Sequence, residues 1–450
     1  MNINNPEFET DHTMGSYFLY VLPAIILFLF NGVYTIADGI FIERFVGPYA
    51  IGAVNLYYPI LTLTLATGSM IGAGGAVNLA SLLGAGKKEE ADRLFSQLIT
   101  AAAVTGLVIS VFGNLFDTQI LSFLGATEGN YGYAYPYYKV LVTTCPVLMF
   151  ASVFVPFIFA EGKTLAISLL SVAGGILNIV LDYVFMGIFG TGIAGAAWAS
   201  TAGYAVPGLY ALIFYSGVLK DGSSLRYRLC RPKIKKLIPV FYNGSSELIT
   251  NIAAGVTALI MNHLSYRFFK EVGVSVSGIF LYVQFLIMSV FMGMTQTIEP
   301  AISYQYGKGD TKRAKDLYVL SMKWTAVFSA VIFVLLFFLH DRIVLAFFDD
   351  VSSEKDFYDL SIRCLMFTLP ACLICGFNIF IQGLFTAYLN GTVSLILSSL
   401  RTFVLFAGSM YFLSMIMGAD GLWLAWFAAE LITLIVSVCF LQRYRKSYGL

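Results

Sequence analysis

Residues 175–200 read Gly175-Ile-Leu-Asn178-Ile-Val-Leu-Asp182-Tyr-Val-Phe-Met-Gly-Ile-Phe-Gly190-Thr-Gly192-Ile-Ala-Gly195-Ala-Ala-Trp198-Ala-Ser200. Two apolar runs meet at a glycine-rich turn, and the first carries a carboxylate, Asp182. Asn178 lies one helical turn before it on the same face. An ionisable group at bilayer depth is costly unless it faces a cavity or a partner, so it marks a candidate functional site. Asp38 repeats the arrangement in the first apolar run, with Tyr34 one turn earlier.

The rest of the chain has the same character. Hydrophobic residues make up 58% of its 450 positions and charged residues 12%, against about 25% charged in soluble domains. The mean hydropathy is +0.80. A helix needs about 20 apolar residues to cross a hydrocarbon core of about 30 Å. Twelve such runs are predicted, at roughly 16–42, 50–82, 93–116, 134–160, 164–188, 192–218, 237–266, 275–303, 317–340, 357–387, 391–417 and 420–441. The fold class is therefore an all-α polytopic membrane protein. The segment before the first run carries Glu7, Glu9 and Asp11 and no Lys or Arg, so no cleavable signal peptide is expected.

With the N-terminus placed inside, loops on that side hold about 18 Lys and Arg, against about 6 on the other. Both termini are expected in the cytoplasm, with the chain in the cytoplasmic membrane. The densest block holds Lys220, Arg226, Arg228, Arg231, Lys233, Lys235 and Lys236 against Asp221. It reads as a topology anchor facing lipid headgroups rather than a nucleic-acid site. It also divides the chain into a lobe at 1–219, a basic linker at 220–236 and a lobe at 237–450.

The two lobes are repeats. Gly84-Ala-Gly86-Lys87 returns as Gly307-Lys-Gly309-Asp310, 223 residues on, and Gly192-Ile-Ala-Gly195 as Gly418-Ala-Asp-Gly421, 226 on. Six spans per half make the repeats parallel, with a central site between two rocking bundles. No G-x-x-x-x-G-K-[ST] phosphate loop occurs, so ATP-driven work by this chain is not expected. Cys372 and Cys375 form a C-x-x-C without a second ligand pair, which reads as apolar packing.

The spans also contain Glu247, Glu299, Arg401 and Glu430, candidates for substrate contact or for a C-terminal-lobe site. Arg401 has no acidic residue one turn away and is expected to pair across helices, with Glu430 one candidate that the sequence alone does not single out. Glu299, before Pro300, suggests a structural or gating role near a span end. Glu43, Arg44 and Glu161 are expected at headgroup level. Asp38, Asn178, Asp182 and Ser200 offer oxygen ligands for Na⁺, and the same carboxylates would serve for H⁺. Phe and Met are abundant, at 39 and 14 residues, and a cavity lined by them would suit varied lipophilic ligands.

These residues resemble the multidrug and toxin extrusion (MATE) family, in its bacterial branch of small multidrug pumps. The resemblance covers essentially the whole chain. It rests on Asp38, Asn178-x-x-x-Asp182, Gly195-Ala-Ala-Trp-Ala-Ser200, Gly84-Ala-Gly86-Lys-Lys, Gln296-x-x-x-Pro300 through Gly307, and Gly244-Ser-Ser-Glu247. It implies two six-helix bundles with pseudo-twofold symmetry around a central cavity. It also implies antiport of cationic lipophilic drugs or dyes against H⁺ or Na⁺, with no other cofactor. Tyr34, Asp38, Asn178, Asp182 and Ser200 correspond to the family's N-lobe ion site. The tenth span has no acid after Asp359, so the family's C-lobe partner of Glu247 is missing. Val155, Pro156 and Phe159 stand where many relatives carry Asn and Arg.

Three rivals differ in what they require. A flippase for lipid-linked saccharides in the same superfamily commonly has more spans and a more cationic cavity. A major-facilitator protein would show Asp-Arg-x-Gly-Arg in the loop at 84–92. An enzyme would show a nucleophile elbow or a metal-ligand cluster, and neither is present. An internally duplicated transporter is expected to act as a monomer.

Overall fold

In hydrocarbon every backbone polar group must be satisfied within its own segment, so apolar runs of this length become helices. The structure, a computed structural model, describes residues 6–218, 223–228, 233–345, 347 and 355–450. Lys220, Asp221 and Arg231 of the basic linker lie outside the described residues. Among the described residues the long helices group into twelve spans. Spans 1–3 are Met14–Phe45, Pro48–Gly84 and Lys88–Leu115. Span 4 joins Glu128–Thr143 to Cys145–Ala160, span 5 runs Thr164–Asp182 and continues as a π-helical turn Tyr183–Ile188, and span 6 is Ile193–Tyr215. Spans 7 and 8 form one helical stretch, Ile234–Lys308, broken at Lys270, whose φ is 55°. Span 9 is Thr311–Leu345, span 10 joins Lys355–Cys372 to Cys375–Ala387, span 11 covers residues 391–417 and span 12 is Ala419–Tyr448.

Backbone geometry repeats between the halves. Gly86 and Gly309 take φ of 72° and 80°, Gly192 and Gly418 both 64°, and Gly162 and Leu389 75° and 58°. Each left-handed residue ends or opens a span at a repeat-related position. Spans 4 and 10 are also both broken near mid-length, by 52° and 44°. The breaks adjoin Pro146 and Pro370, since a proline removes a helical donor. Span 1, in contrast, runs unbroken through Pro23. Spans 5 and 11 both take a π-helical turn, at Tyr183–Ile188 and Leu400–Val404, and the one in span 11 includes the buried Arg401.

The lobes meet along spans 2, 7 and 8, and they meet through glycine. A Cβ on Gly84 would collide with the Tyr304 carbonyl, one on Gly307 with Ser81, and one on Gly244 with Met70. Small residues let membrane helices approach to backbone contact, which gives dispersion without a hydrophobic driving force. Ser303 Oγ adds a hydrogen bond to the Val77 carbonyl at 2.7 Å. All of these contacts lie toward the end of the molecule that carries the Asn390–Tyr448 contact and the N-terminal segment, so the seam is closed there.

The short helix Pro6–Glu9 crosses this closed end. Phe8 is buried, and its carbonyl accepts from Gln305 Nε2. Glu9 pairs with Lys308 and Arg313, the latter at 2.9 Å. The described part of the linker is bound to the N-terminal lobe. Glu161 accepts from Ser224 N at 3.1 Å, Ser224 Oγ at 2.8 Å, Leu225 N at 3.2 Å and the Ser223 hydroxyl. Asp92 accepts from Arg226 N at 3.0 Å and pairs with Arg228 at 3.3 Å. Glu161, at the end of span 4, is therefore a buried anchor of the linker. Its partners sit 62–64 residues away in sequence.

Candidate functional site

A cavity of about 250 Å³ opens between the lobes above the closed seam. Its wall is mostly N-terminal-lobe residues, among them Asn31, Tyr34, Ser69, Ser171, Asn178, Ser200 and Tyr204. The opposite wall contributes Glu247, Asn251, Met292 and Gln296. Glu247 is the one charged residue lining it among the described residues. Of the abundant Phe and Met residues only Phe28 and Met292 reach the cavity. The large buried phenylalanines, such as Phe95, Phe154 and Phe157, pack within the lobe core instead.

The N-lobe acids lie just behind this wall. Gly175 lets the Phe30 and Tyr34 rings of span 1 press onto span 5; a Cβ there would sit 2.6 Å from Phe30 Cε1. Gly203 brings span 6 against span 5 in the same way, where a Cβ would meet the Gly174 carbonyl at 2.9 Å. These two approaches bring spans 1, 5 and 6 together around Asp38 and Asp182, whose carboxyl groups face and interact with each other. Asp182 is fully buried and Asn178 is 2% exposed. Neither oxygen of Asp182, nor Asp38 Oδ1, nor Asn178 Oδ1 receives a hydrogen bond from the described residues.

A buried acceptor without a donor costs free energy, and two facing carboxylates repel. A proton shared by the acids, or a hard cation held by their oxygens, would meet both demands at once. Asn178 Nδ2 donates to Ser200 Oγ at 3.4 Å, which leaves Asn178 Oδ1 turned free as a further oxygen ligand. All five predicted N-lobe residues are thus gathered in one place. Two were missed: Tyr204, whose hydroxyl contacts that of Tyr34 at 3.2 Å, and Tyr137 of span 4, which lies within electrostatic reach of both acids. Tyr204 stands four residues after Ser200, on one helical face with it, and that spacing was a usable signal.

The C-terminal lobe holds the other predicted residues. Arg401, 4% exposed, pairs with Glu430, 2% exposed, at 3.6 Å. Glu430 is further held by Asn378 Nδ2 at 2.7 Å and Trp426 Nε1 at 3.2 Å. A small recess of about 20 Å³ beside them is lined by Glu247, Thr295, Glu299, Gln382 and Arg401. Thr295 Oγ1, Gln382 Oε1 and Arg401 Nε are buried there without partners among the described residues. Glu299 therefore faces the C-lobe recess and is not only a span-end residue. Glu247 lines both the recess and the central cavity.

Comparison with known proteins agrees with this architecture. The MatE family profile matches twice, over residues 23–184 and 248–412, once in each half. The multidrug export protein MepA of Staphylococcus haemolyticus is 26% identical over 383 residues, covering 84% of this chain and 82% of its own. MepA of Staphylococcus aureus is 23% identical over 396 residues, covering 88% and 86%. A solved structure described as the outward-facing conformation of a multidrug resistance MATE family transporter of the MOP superfamily superposes with a TM-score of 0.90. It is 20% identical and covers 99% of this chain and 98% of its own. A MOP superfamily transporter from Pyrococcus furiosus, described as having a binding pocket of reverse polarity, gives 0.89 at 21% identity, covering 99% and 98%. Twelve spans in two repeated lobes, a seam of glycines and a family profile found in both halves lead to one assignment: the chain belongs to the MATE family of membrane transporters.

Proposed function

We propose that this protein is a multidrug efflux antiporter that exports cationic lipophilic compounds in exchange for H⁺ or Na⁺. The observation that carries the reading is the facing pair of half-buried Asp38 and fully buried Asp182, set behind the wall of a cavity whose charged lining residue is Glu247. Glu247 favours a cation in the cavity. The surrounding Tyr, Asn and Ser side chains offer adaptable polar contacts to ligands of varied shape. The names of the MepA relatives support drug export as the task.

In the proposed cycle the seam is closed at the end carrying the termini, which the positive-inside rule assigns to the cytoplasm of a plasma-membrane protein. An external ion neutralises or occupies the Asp38–Asp182 site, with Tyr34, Asn178 and Ser200 around it. The packing of span 1 against spans 5 and 6 changes, and the drug leaves the cavity. The lobes at 1–219 and 237–450 then rock about the linker, the ion leaves to the cytoplasm, and a new drug enters. One copy of the chain suffices, because the internal repeat supplies both moving halves. Glu299, Arg401 and Glu430 support the C-lobe wall behind Glu247.

The test is ethidium transport in proteoliposomes under an imposed pH gradient or an imposed Na⁺ gradient, for wild type and Asp38→Asn. Transport driven by one gradient and lost in the variant supports the reading and names the ion. Gradient-driven transport retained by Asp38→Asn would overturn the role of the pair. No transport of any cationic dye by the wild type would favour a lipid-linked saccharide or a single metabolite as substrate.

A further inference from the structure

We propose that residues 6–12 form a strap that holds the two lobes closed at this end and must release spans 8 and 9 before the cavity can open toward it. The inference goes beyond the antiport reading and uses from it only that the lobes part here.

The strap belongs to the N-terminal lobe by the chain and to the C-terminal lobe by its contacts. Four residues after Glu9, Thr13 caps span 1, donating its N–H to Ser16 Oγ at 2.8 Å and accepting from Ser16 N at 3.3 Å. Span 1 is in turn fixed to span 5, where the Phe30 and Tyr34 rings press onto Gly175. Toward the other lobe, the buried Phe8 ring lies 5.4 Å from that of Tyr304. Gln305 Nε2 donates to the Phe8 carbonyl, and the Tyr304 hydroxyl donates to Glu9 at 3.3 Å. Lys308 Nζ reaches both carboxylate oxygens of Glu9, and Arg313 bridges Glu9 at 2.9 Å and Asp11 at 3.2 Å. The first turn of span 1 extends the contact along span 9. There the Met14 carbonyl accepts from Trp324 Nε1 at 3.1 Å, and the Tyr17 hydroxyl meets Ser321 Oγ at 2.7 Å.

Where the strap grips decides what it does. It holds residues 304–308, the same turn of span 8 whose Tyr304 carbonyl and Gly307 press against Gly84 and Ser81 of span 2. That turn is therefore gripped twice, once by the glycine seam and once by the strap. Opening the seam carries it away from span 2, and so away from the lobe to which the strap is tethered. The tether cannot follow far, because four residues reach about 14 Å when fully extended. Phe8 must then leave its site, and Glu9 its two cations. A contact made in only one of two states shifts their balance by its differential free energy. A buried aromatic ring and charge-assisted hydrogen bonds are both substantial contacts of that kind.

The test is the distance between spin labels at Glu89→Cys and Lys315→Cys, exposed positions on opposite lobes at the closed end. It is measured on the full chain in nanodiscs without substrate, with Cys230 and Cys439 changed to Ser. Phe8→Ala removes the buried ring, and the ratio of separated to close populations should rise about tenfold or more. Phe8→Leu keeps an apolar side chain in the site and should stay within about threefold of wild type. Glu9→Lys sets a cation against Lys308 and Arg313 without touching the core. It should move the ratio the same way by about fivefold or more, and it decides the matter if Phe8→Ala does not fold. Unchanged distances in folded Phe8→Ala and Glu9→Lys would overturn the strap. Gly74→Ala, which forces a methyl group into the seam itself, separates the two levels. Separation in Gly74→Ala beside close distances in both strap variants defeats the strap alone. Close distances in all three defeat the parting of the lobes at this end as well.

Discussion

The glycine seam offers a perturbation whose size follows from the structure. At Gly74 an added Cβ would lie 2.8 Å from Gly244 N and 3.0 Å from Gly244 Cα, and closer still to the Val240 carbonyl. Every one of those atoms belongs to span 7, in the opposite lobe, and all are backbone. No rotamer change relieves the clash, so the helices must separate. Forcing one methyl group into a close-packed contact costs about 1–3 kcal/mol, and an all-backbone contact belongs at the upper end. The clash is present only while the seam is closed. A cost of about 2–3 kcal/mol therefore shifts the equilibrium toward the seam-open state by about 30- to 150-fold. Gly74→Ala should leave each lobe folded. Spin labels at Glu89→Cys and Lys312→Cys, both exposed and on opposite lobes at the closed end, would report the distance, with Cys230 and Cys439 changed to Ser. The separated population should grow at the expense of the close one, and transport should slow because the return to the closed state is uphill. An unchanged distance distribution in well-folded Gly74→Ala protein would refute the reasoning.

Three further outcomes follow from the same contacts. Arg401→Met leaves Glu430 buried without its cation and should lower stability by about 3–5 kcal/mol, while Arg401→Met with Glu430→Gln should recover much of the loss, as read by thermal unfolding in detergent; equal losses in both proteins would contradict the pairing. Lys308 and Arg313 hold the Glu9 carboxyl below its ordinary value of 4.5, so its contribution to docking the N-terminal segment is fully present above that value and is lost as pH falls through the lowered one. Glu9→Gln should cost about 1 kcal/mol near neutral pH, and the gap to wild type in thermal midpoint should close in acid; a gap independent of pH would count against the ion pairs. Glu161→Ala removes the shared acceptor of Ser223, Ser224 and Leu225, so trypsin cleavage at Arg226 and Arg228 should accelerate severalfold, and an unchanged rate would mean the linker is anchored elsewhere.

What could be read from the residues alone divides along physical lines. The twelve spans and the repeat were legible because bilayer thickness sets a length and duplication leaves glycines at a fixed offset. Asp38 and Asp182 were legible because a carboxylate in an apolar run has few inexpensive places to be. Arg401 was legible as a charge that must pair across helices, but Glu247, Glu299 and Glu430 all stand in its lobe and only the structure selects Glu430. The aromatic residues were not sorted, because a Tyr facing lipid headgroups and a Tyr facing a carboxylate look alike in a chain that is 16% aromatic. Tyr204 and Tyr137 were lost that way. Few Phe and Met reach the cavity because some pack in the core, such as Phe95 and Phe157, and others face outward, such as Phe123, Phe338 and Met415, so the wall combines Leu, Ala, Val and Pro with Ser, Asn and Tyr. The breaks in spans 4 and 10 were signalled only by Pro146 and Pro370, and prolines also sit in unbroken helices here, as Pro23 shows. Glu161 had no local signal at all, since its donors arrive from a distant linker.

The central claim is that the ion and the drug compete through the Asp38–Asp182 pair, and equilibrium binding tests it without the complications of turnover. Ethidium affinity of the purified protein would be titrated against pH and, separately, against Na⁺, for wild type, Asp38→Asn and Asp182→Asn. The account predicts that one ion weakens ethidium binding to wild type by about tenfold or more, a coupling of about 1.4 kcal/mol, and that either variant binds ethidium with an affinity independent of that ion. Ion dependence that survives intact in both variants would place the coupling site elsewhere and contradict the account.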